Sequence, residues 1–282
     1  MNKQKPAVVM LSDFGINSGF VSCMHGMCKM VDPTLETYDI THLIPAFDIV
    51  AASYCLQYTV PYWPAGTVFV SVVDPGVGTN RRACVAKLKN GSYVVTPDNG
   101  TLSYLHHMIG VSEIREIDET INRYPATKDV HVFHGRDLFA YCAARLAAGI
   151  ITYEQVGKAY PLEEMVLHAI QYAEVSHKYV KASIQGYDPF GNTEISVLNT
   201  AFQKTGFVIG DVLHVKIFDD RQVVFDGMVP YEKSFGYVPQ GDVVLFQDLA
   251  SYVTIACNAD SFAQTYHLDP AKTYTVEICE AK

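Results

Sequence analysis

Residues 67–82 read TVFVSVVDPGVGTNRR. The run 67–73 carries no charge and does not alternate between apolar and polar positions. A strand with one wet face alternates. A strand covered on both faces, as in the middle of a parallel sheet, stays apolar throughout. The run ends abruptly at Asp74, followed by Pro75, Gly76, Val77 and Gly78, and then by Arg81 and Arg82. In a doubly wound sheet, ligands bind beyond the carboxyl ends of the strands. A carboxylate, flexible backbone and fixed positive charge thus stand where a site belongs.

The neighbouring segments extend this pattern. AVVML (7–11) predicts another buried strand, followed by a helix over 21–31 that Asp32-Pro33 closes. LETYDI predicts a strand, and 48–58 a helix ending before Pro61. ACVAKL and YVVTP flank Asn90-Gly91, a strong hairpin signal. DNGTLSYLHHM opens a helix. VHVF (130–133) is expected to be a strand, with a helix over 138–148 that Gly149 ends. Thr152 with Gln155 resembles a capping box. From Tyr179 onward only short alternating strands appear, joined by DPFGN, IGD, FDDRQ and PQGD. The expected architecture is an α/β domain over 1–170, with a mostly parallel sheet and helices on both faces. A linker over 171–178 and a smaller all-β, barrel-like domain over 179–282 follow.

The bulk properties narrow the function. The chain has 282 residues and a net charge of −9, and no basic stripe suits a polyanion, so nucleic acid is not an expected partner. The seven cysteines form no CxxC pair, and several lie inside apolar runs, which suits reduced thiols and a cytoplasmic setting. No apolar run approaches the roughly 20 residues of a membrane helix, so no membrane is expected.

Four loops have the same character. They carry Asp13, Asp74, Asp98, and His134 with Asp137. Any one of them could be an ordinary turn or cap; four together favour a site. Other motif matches are weak. DFG at Asp13 lacks the rest of a kinase. GVGTNR puts Arg81 where a dinucleotide fingerprint needs its third glycine. His131 and His134 on a strand would face opposite sides, so a shared metal is not expected.

In order, SDFG, VVDPGVGTNRR, PDNGTL, FHGRD and DPFGN resemble one family. It is the S-adenosylmethionine (SAM) hydroxide adenosyltransferases, which form adenosine and are related to the fluorinases and chlorinases. The resemblance covers nearly the whole chain. It implies an α/β N-terminal domain, a β-barrel C-terminal domain, and a homotrimer with sites at subunit interfaces. SAM is the substrate, with no cofactor and no metal. Asp74, Arg81 and His134 match the family's water-handling set. Asp13 matches the carboxylate that grips both ribose hydroxyls, and Phe47, in IPAF, an aromatic that packs on the sugar. Phe14, Ser18 and Phe133 complete the substrate-binding set of the first domain. In the second domain that set is Asp188, Phe190, Asn192, Asn258 and Ala259, with Asn192 reading the adenine edge and Asn258-Ala259 supplying backbone contacts. The halogenating relatives carry hydroxyl side chains where this sequence has Asp74, Val77 and Gly135, so water rather than halide is the expected nucleophile. The sequence departs from the family at the methionine end. Ser18 replaces a common aspartate, His25 a common lysine, Glu194 a bulky aromatic of the halogenases, and QDLASYV (247–253) a serine- and glycine-rich stretch. The two competing readings are a metal-dependent hydrolase using Asp13, Asp74 and His134, and a protein that binds adenosine or SAM with little turnover.

Overall fold

The computed structural model describes residues 5–281. The chain divides into two compact units, residues 1–170 and 171–282. In the first unit, strands β1 (Val8–Ser12), β2 (Thr37–Thr41), β3 (Val68–Val72), β4 (Ala83–Leu88), β5 (Tyr93–Pro97) and β6 (Val111–Glu116) form one sheet in the order β2-β1-β3-β5-β4-β6. The β2-β1-β3-β5 pairings are parallel, and β4 pairs antiparallel with both β5 and β6. The sheet is therefore mixed. Every residue of β1 and β3 is buried, as their uninterrupted apolar runs require.

Alternation then sorts the side chains between two cores. Val8, Met10, Val68, Val70 and Val72 pack on one face against α1 (Phe20–Val31). Val9, Leu11, Phe69 and Val73 pack on the other face, against α2 (Ile49–Thr59) and α3 (Ser103–Met108). Asp48 caps α2 by accepting from the Ala51 N–H at 2.8 Å. The short α4 (Glu119–Asn122) leads towards a π-helical segment, Gly135–Ala140, which continues into α5 (Tyr141–Ala147) and joins the first core.

Residues 130–133 are not a strand. Val130 and Val132 are exposed, so the apolar letters of VHVF bury nothing that would hold a ladder. The edge opposite β2 is β6, with the sequence VSEIRE, whose Val111 and Ile114 are buried while Ser112 and Glu116 are exposed. The predicted β4–β5 hairpin is present, with Gly91 at φ +88° in its turn. The Gln155 side chain also accepts from the Thr152 N–H at 2.8 Å, as half of a capping box does.

The second unit holds β7 (Glu174–Ser176), β8 (Tyr179–Tyr187), β9 (Thr193–Leu198), β10 (Val212–Asp219), β11 (Gln222–Pro230), β12 (Val243–Gln247), β13 (Tyr252–Cys257) and β14 (Tyr274–Glu280). Their order is β11-β10-β14-β8-β9-β13-β12, with β7 added on β8, and every ladder is antiparallel. A bridge between Tyr231 and Leu245 brings the two end strands together, so the sheet is barrel-like and nearly closed. Val215, Ile217, Val253, Ile255, Val276 and Ile278 fill it from alternate positions. The segment expected as a linker contains β7.

Candidate active site

Strands β1, β3 and β5 run parallel, so Asp13, Asp74 and Asp98 emerge at the same edge of the sheet. The loop after β3 folds back on itself. The Val77 N–H donates to Asp74 O at 3.2 Å, and the Thr79 N–H and hydroxyl donate to Gly76 O at 3.1 and 2.6 Å. These turns return Arg81 to the aspartate that opened the loop. Gly76 permits the approach: a Cβ there would stand 3.1 Å from Arg81 Cγ.

Arg81 joins the two other members of its set. Its Nε lies 3.0 Å from each Asp74 carboxylate oxygen, and its Nη2 lies 2.6 Å from Oδ2. The same Nη2 is 2.8 Å from His134 Nδ1. A guanidinium only donates, so Nδ1 accepts and the neutral ring carries its proton on Nε2. That nitrogen is buried and has no partner among the described residues, as is also true of Arg81 Nη1. The side chains of Asp74 and Arg81 are 5% and 10% exposed, and His134 is buried. Burial first, and the Arg81 charge second, hold the His134 pKa below its ordinary value. The imidazole is therefore neutral near pH 7. The Phe139 ring supports the guanidinium at 5.2 Å.

The other polar groups of these loops are engaged in the fold. Asp98 is buried, with Arg82 Nε at 3.2 Å and hydrogen bonds from the Tyr160 hydroxyl (3.0 Å) and the Val166 N–H (2.9 Å). Asp137 is fully buried against Arg136. Both are fully paired structural carboxylates, so the polar cluster inferred from four loops shrinks to Asp13, Asp74 and His134. The metal-dependent alternative needs the ligand atoms of those three around one point. Arg81 instead stands between Asp74 and His134, and the three form no such group among the described residues.

Asp13 Oδ2 accepts from the Phe47 N–H at 2.9 Å. That contact draws the expected ribose carboxylate and its aromatic together, with Phe47 at φ +67° and its ring exposed. Phe14 and Phe133 also meet, at 5.8 Å between ring centroids. A Cβ on Gly135 would lie 2.9 Å from Phe14 Cε2, so the missing side chain gives that ring its place. Sequence reasoning missed Phe20, which completes a three-ring cluster with these two. It also missed Phe139, whose helical spacing reads as core. Ser18 is exposed. His25 turns to Thr37 and Asp39 on β2, which explains its departure from lysine without reference to substrate.

The second unit has a cavity of about 790 Å³ lined by Asp188, Phe190, Asn192, Glu194, Asp248 and Ala259, among others. Asn192 Nδ2 donates to Asp188 Oδ2 at 2.7 Å, and Asp188 Oδ1 accepts from the N–H groups of Phe190 and Asn192. Asp188 therefore organises the DPFGN turn and fixes the Asn192 amide. Asn258 is already committed. Its N–H donates to Asp242 O, its carbonyl accepts from Gly241, and its side chain donates to Val238 O. It lines no part of this cavity, so of the pair only Ala259 does. In QDLASYV, Asp248 accepts from the Ala250 and Tyr252 N–H groups and the Thr254 hydroxyl, and burial raises its pKa.

Sequence comparison agrees with the ordered motifs. Residues 8–157 match the SAM hydroxide adenosyltransferase N-terminal domain, and residues 182–275 match the C-terminal domain. The chain belongs to the SAM hydroxide adenosyltransferase family. Among its relatives is a protein of Salinispora arenicola named (R)-S-adenosyl-L-methionine hydrolase, 31% identical over 94% of this chain and 95% of its own. A fluorinase of Actinoplanes is 27% identical over 96% and 97%. The crystal structure of an uncharacterized conserved protein from Thermotoga maritima superposes with a TM-score of 0.88, at 32% identity, over 97% of this chain and all of the other. In this member of the SAM hydroxide adenosyltransferase family, no helix among the described residues is long and apolar enough to cross a membrane.

Proposed function

We propose that the protein hydrolyses S-adenosyl-L-methionine by attack of water at ribose C5′, giving adenosine and L-methionine, with Asp74, Arg81 and His134 handling the water. The observation that carries this reading is the guanidinium shared between Asp74 and His134, which leaves His134 Nε2 buried and without a partner among the described residues. Methionine departs as a neutral thioether, so the leaving group needs no acid. The demand falls on the nucleophile, because water is weak and must be held and deprotonated as the bond forms. The Nε2–H of a neutral imidazole donates to the water oxygen and aims its remaining lone pair. Asp74, paired with the guanidinium, accepts the proton. An ionised Asp74 repels halide, and Val77 and Gly135 carry no side-chain donor for one, in keeping with hydrolysis rather than halogenation.

Asp13 grips the ribose diol through its two acceptor oxygens, and Phe14, Phe47 and Phe133 surround the sugar. Adenine occupies the cavity of the second unit, beside Phe190 and Ala259. Because Asp188 takes the Asn192 Nδ2, the Asn192 Oδ1 is left to accept from the exocyclic amine. The relatives' name supports the (R) sulfonium epimer as the preferred substrate. No cofactor enters this scheme. The residues assigned to water and to adenine lie in different units, and the family resemblance supports a homotrimer in which neighbouring chains contribute them. Incubation of each sulfonium epimer with the protein in ¹⁸O-water tests the reaction by mass. The expected product is adenosine labelled at its 5′-hydroxyl, formed faster from the (R) epimer. Label in methionine, or a halogenated nucleoside formed in preference to adenosine when halide is present, would overturn it. Co-refolding an Asp74→Asn chain with an Asn192→Ala chain tests the assembly. A shared site restores about a quarter of native activity on random mixing, and a site within one chain restores none.

A further inference from the structure

A second group of titratable side chains lies in the first unit and shares no residue with the Asp74 set. His25 on α1, Asp39 on β2 and His42 just after β2 turn their side chains towards one another. His25 Nε2 and His42 Nε2 each lie 2.9 Å from Asp39 Oδ1. The far nitrogens of both rings are also held: His42 Nδ1 lies 2.7 Å from Ser12 Oγ, and His25 Nδ1 lies 2.9 Å from Thr37 Oγ1. Hydroxyl partners on Nδ1 aim both Nε2 atoms at the same carboxylate oxygen, as outer partners do around metal-bound imidazoles. With the Nδ1 protons given to those hydroxyls, two nitrogen lone pairs and a carboxylate converge. In that tautomer the three groups form a set that can ligate one cation. The His42 side chain is 3% exposed, whereas His25 and Asp39 are 27% and 42% exposed, so the group has a fixed floor and an open mouth.

We propose that His25, Asp39 and His42 form a binding site for a divalent transition metal, best matched to Zn²⁺. Two imidazoles and a carboxylate suit zinc, with its remaining position left to water. Tetrahedral zinc with bonds of about 2.0–2.1 Å sets its ligand atoms about 3.3 Å apart, so the present 2.9 Å contacts need to open by only a few tenths of an ångström. The ion joins α1 to the edge strand β2. It also steadies the loop after β1, because Ser12 Oγ accepts from the Phe14 N–H and His42 O accepts from the Gly15 N–H. The site thus anchors the segment that carries Asp13. It adds a metal where the family resemblance implied none, and the proposed hydrolysis routes no step through it.

The test uses the full chain stripped with a chelator. Calorimetric titration with Zn²⁺ should give one ion per chain, and Co²⁺ should give the visible absorption of a low-coordinate site. Melting temperature should rise by at least about 3 °C with zinc in hundredfold excess over its dissociation constant. His25→Ala and Asp39→Asn alter side chains at the open mouth, and each should weaken zinc binding by at least about a hundredfold. Cys23, the exposed thiol, is the competing ligand, and Cys23→Ser should leave binding unchanged. No zinc binding by the native chain, binding that survives both ligand substitutions, or binding lost in Cys23→Ser would each overturn the proposal.

Discussion

The most informative single substitution is Arg81→Lys. Both residues carry one positive charge, so Asp74 keeps a counterion and the core keeps its net charge. The geometry is what changes. Arg81 Nη2 has two N–H bonds, one spent on Asp74 Oδ2 at 2.6 Å and one on His134 Nδ1 at 2.8 Å. A lysine ammonium is a point charge on a flexible stem without the planar fork, and it will stay on the carboxylate. His134 Nδ1 then loses its donor. The ring is free to protonate there instead, turning an Nε2 lone pair where the Nε2–H belongs. Losing a charge-assisted hydrogen bond costs about 1.5–3 kcal/mol of stability. Losing one preorganised donor to a reacting oxygen costs about 10²–10³ in kcat, or roughly 2.7–4 kcal/mol. We therefore expect kcat for adenosine formation to fall by about 10²–10³, with KM nearly unchanged because Arg81 is not assigned to the nucleoside. Adenosine release is followed chromatographically at saturating substrate. The tautomer is read from the ¹⁵N shifts of the His134 ring. A variant within about fivefold of native kcat whose ring still carries its proton on Nε2 would refute the argument, since the guanidinium would then be dispensable.

Other perturbations separate the remaining roles. Asp74→Asn and His134→Ala should each lower turnover at least about a hundredfold while adenosine affinity, measured by calorimetry, is retained. The His134 pKa is depressed in the fold, so its neutral form persists below the ordinary value of 6.5; the acidic limb of the kcat profile should have its midpoint below 6.5. Because the unfolded ring takes up its proton first as pH falls, stability should decline from about pH 6.5 down through that lower value and gain nothing above pH 6.5, as denaturant titrations across that range will report. Gly135→Ala places a methyl 2.9 Å from Phe14 Cε2, and overpacking of this kind should cost about 1–3 kcal/mol, read as a lowered melting temperature.

Local pattern carried most of the architecture. The uninterrupted apolar runs of β1 and β3 and the Asn90-Gly91 turn define the centre of the first sheet, and the alternation after Tyr179 defines the second. Burial is what those patterns encode, and pattern misled where burial was absent. VHVF has strand composition but lies exposed, while VSEIRE, two-thirds polar, forms an edge strand because Val111 and Ile114 have a core to enter. The site was legible as a set of residues and not as a geometry. Asp98 and Asp137 resemble Asp74 by their place in loops, and only their partners, Arg82, Tyr160 and Arg136, reveal them as structural. The Arg81–His134 contact spans 53 positions, and no local spacing announces it. The motif naming Asn258 gave no sign that its backbone was already bonded to Asp242 and Gly241.

Strand β14 comes last in sequence among the described strands, yet it lies inside its sheet, between β10 and β8. During synthesis those two strands wait with open ladders until residues 274–280 have left the ribosome. The sheet of the first unit closes much earlier, once β6 is made at residue 116. One half of the molecule can therefore take shape while the other is still being translated. A frameshift or premature stop near residue 270 would do more than shorten the protein. It would leave β10 and β8 each with an unsatisfied edge, a product that a cell's quality-control machinery should recognise and degrade.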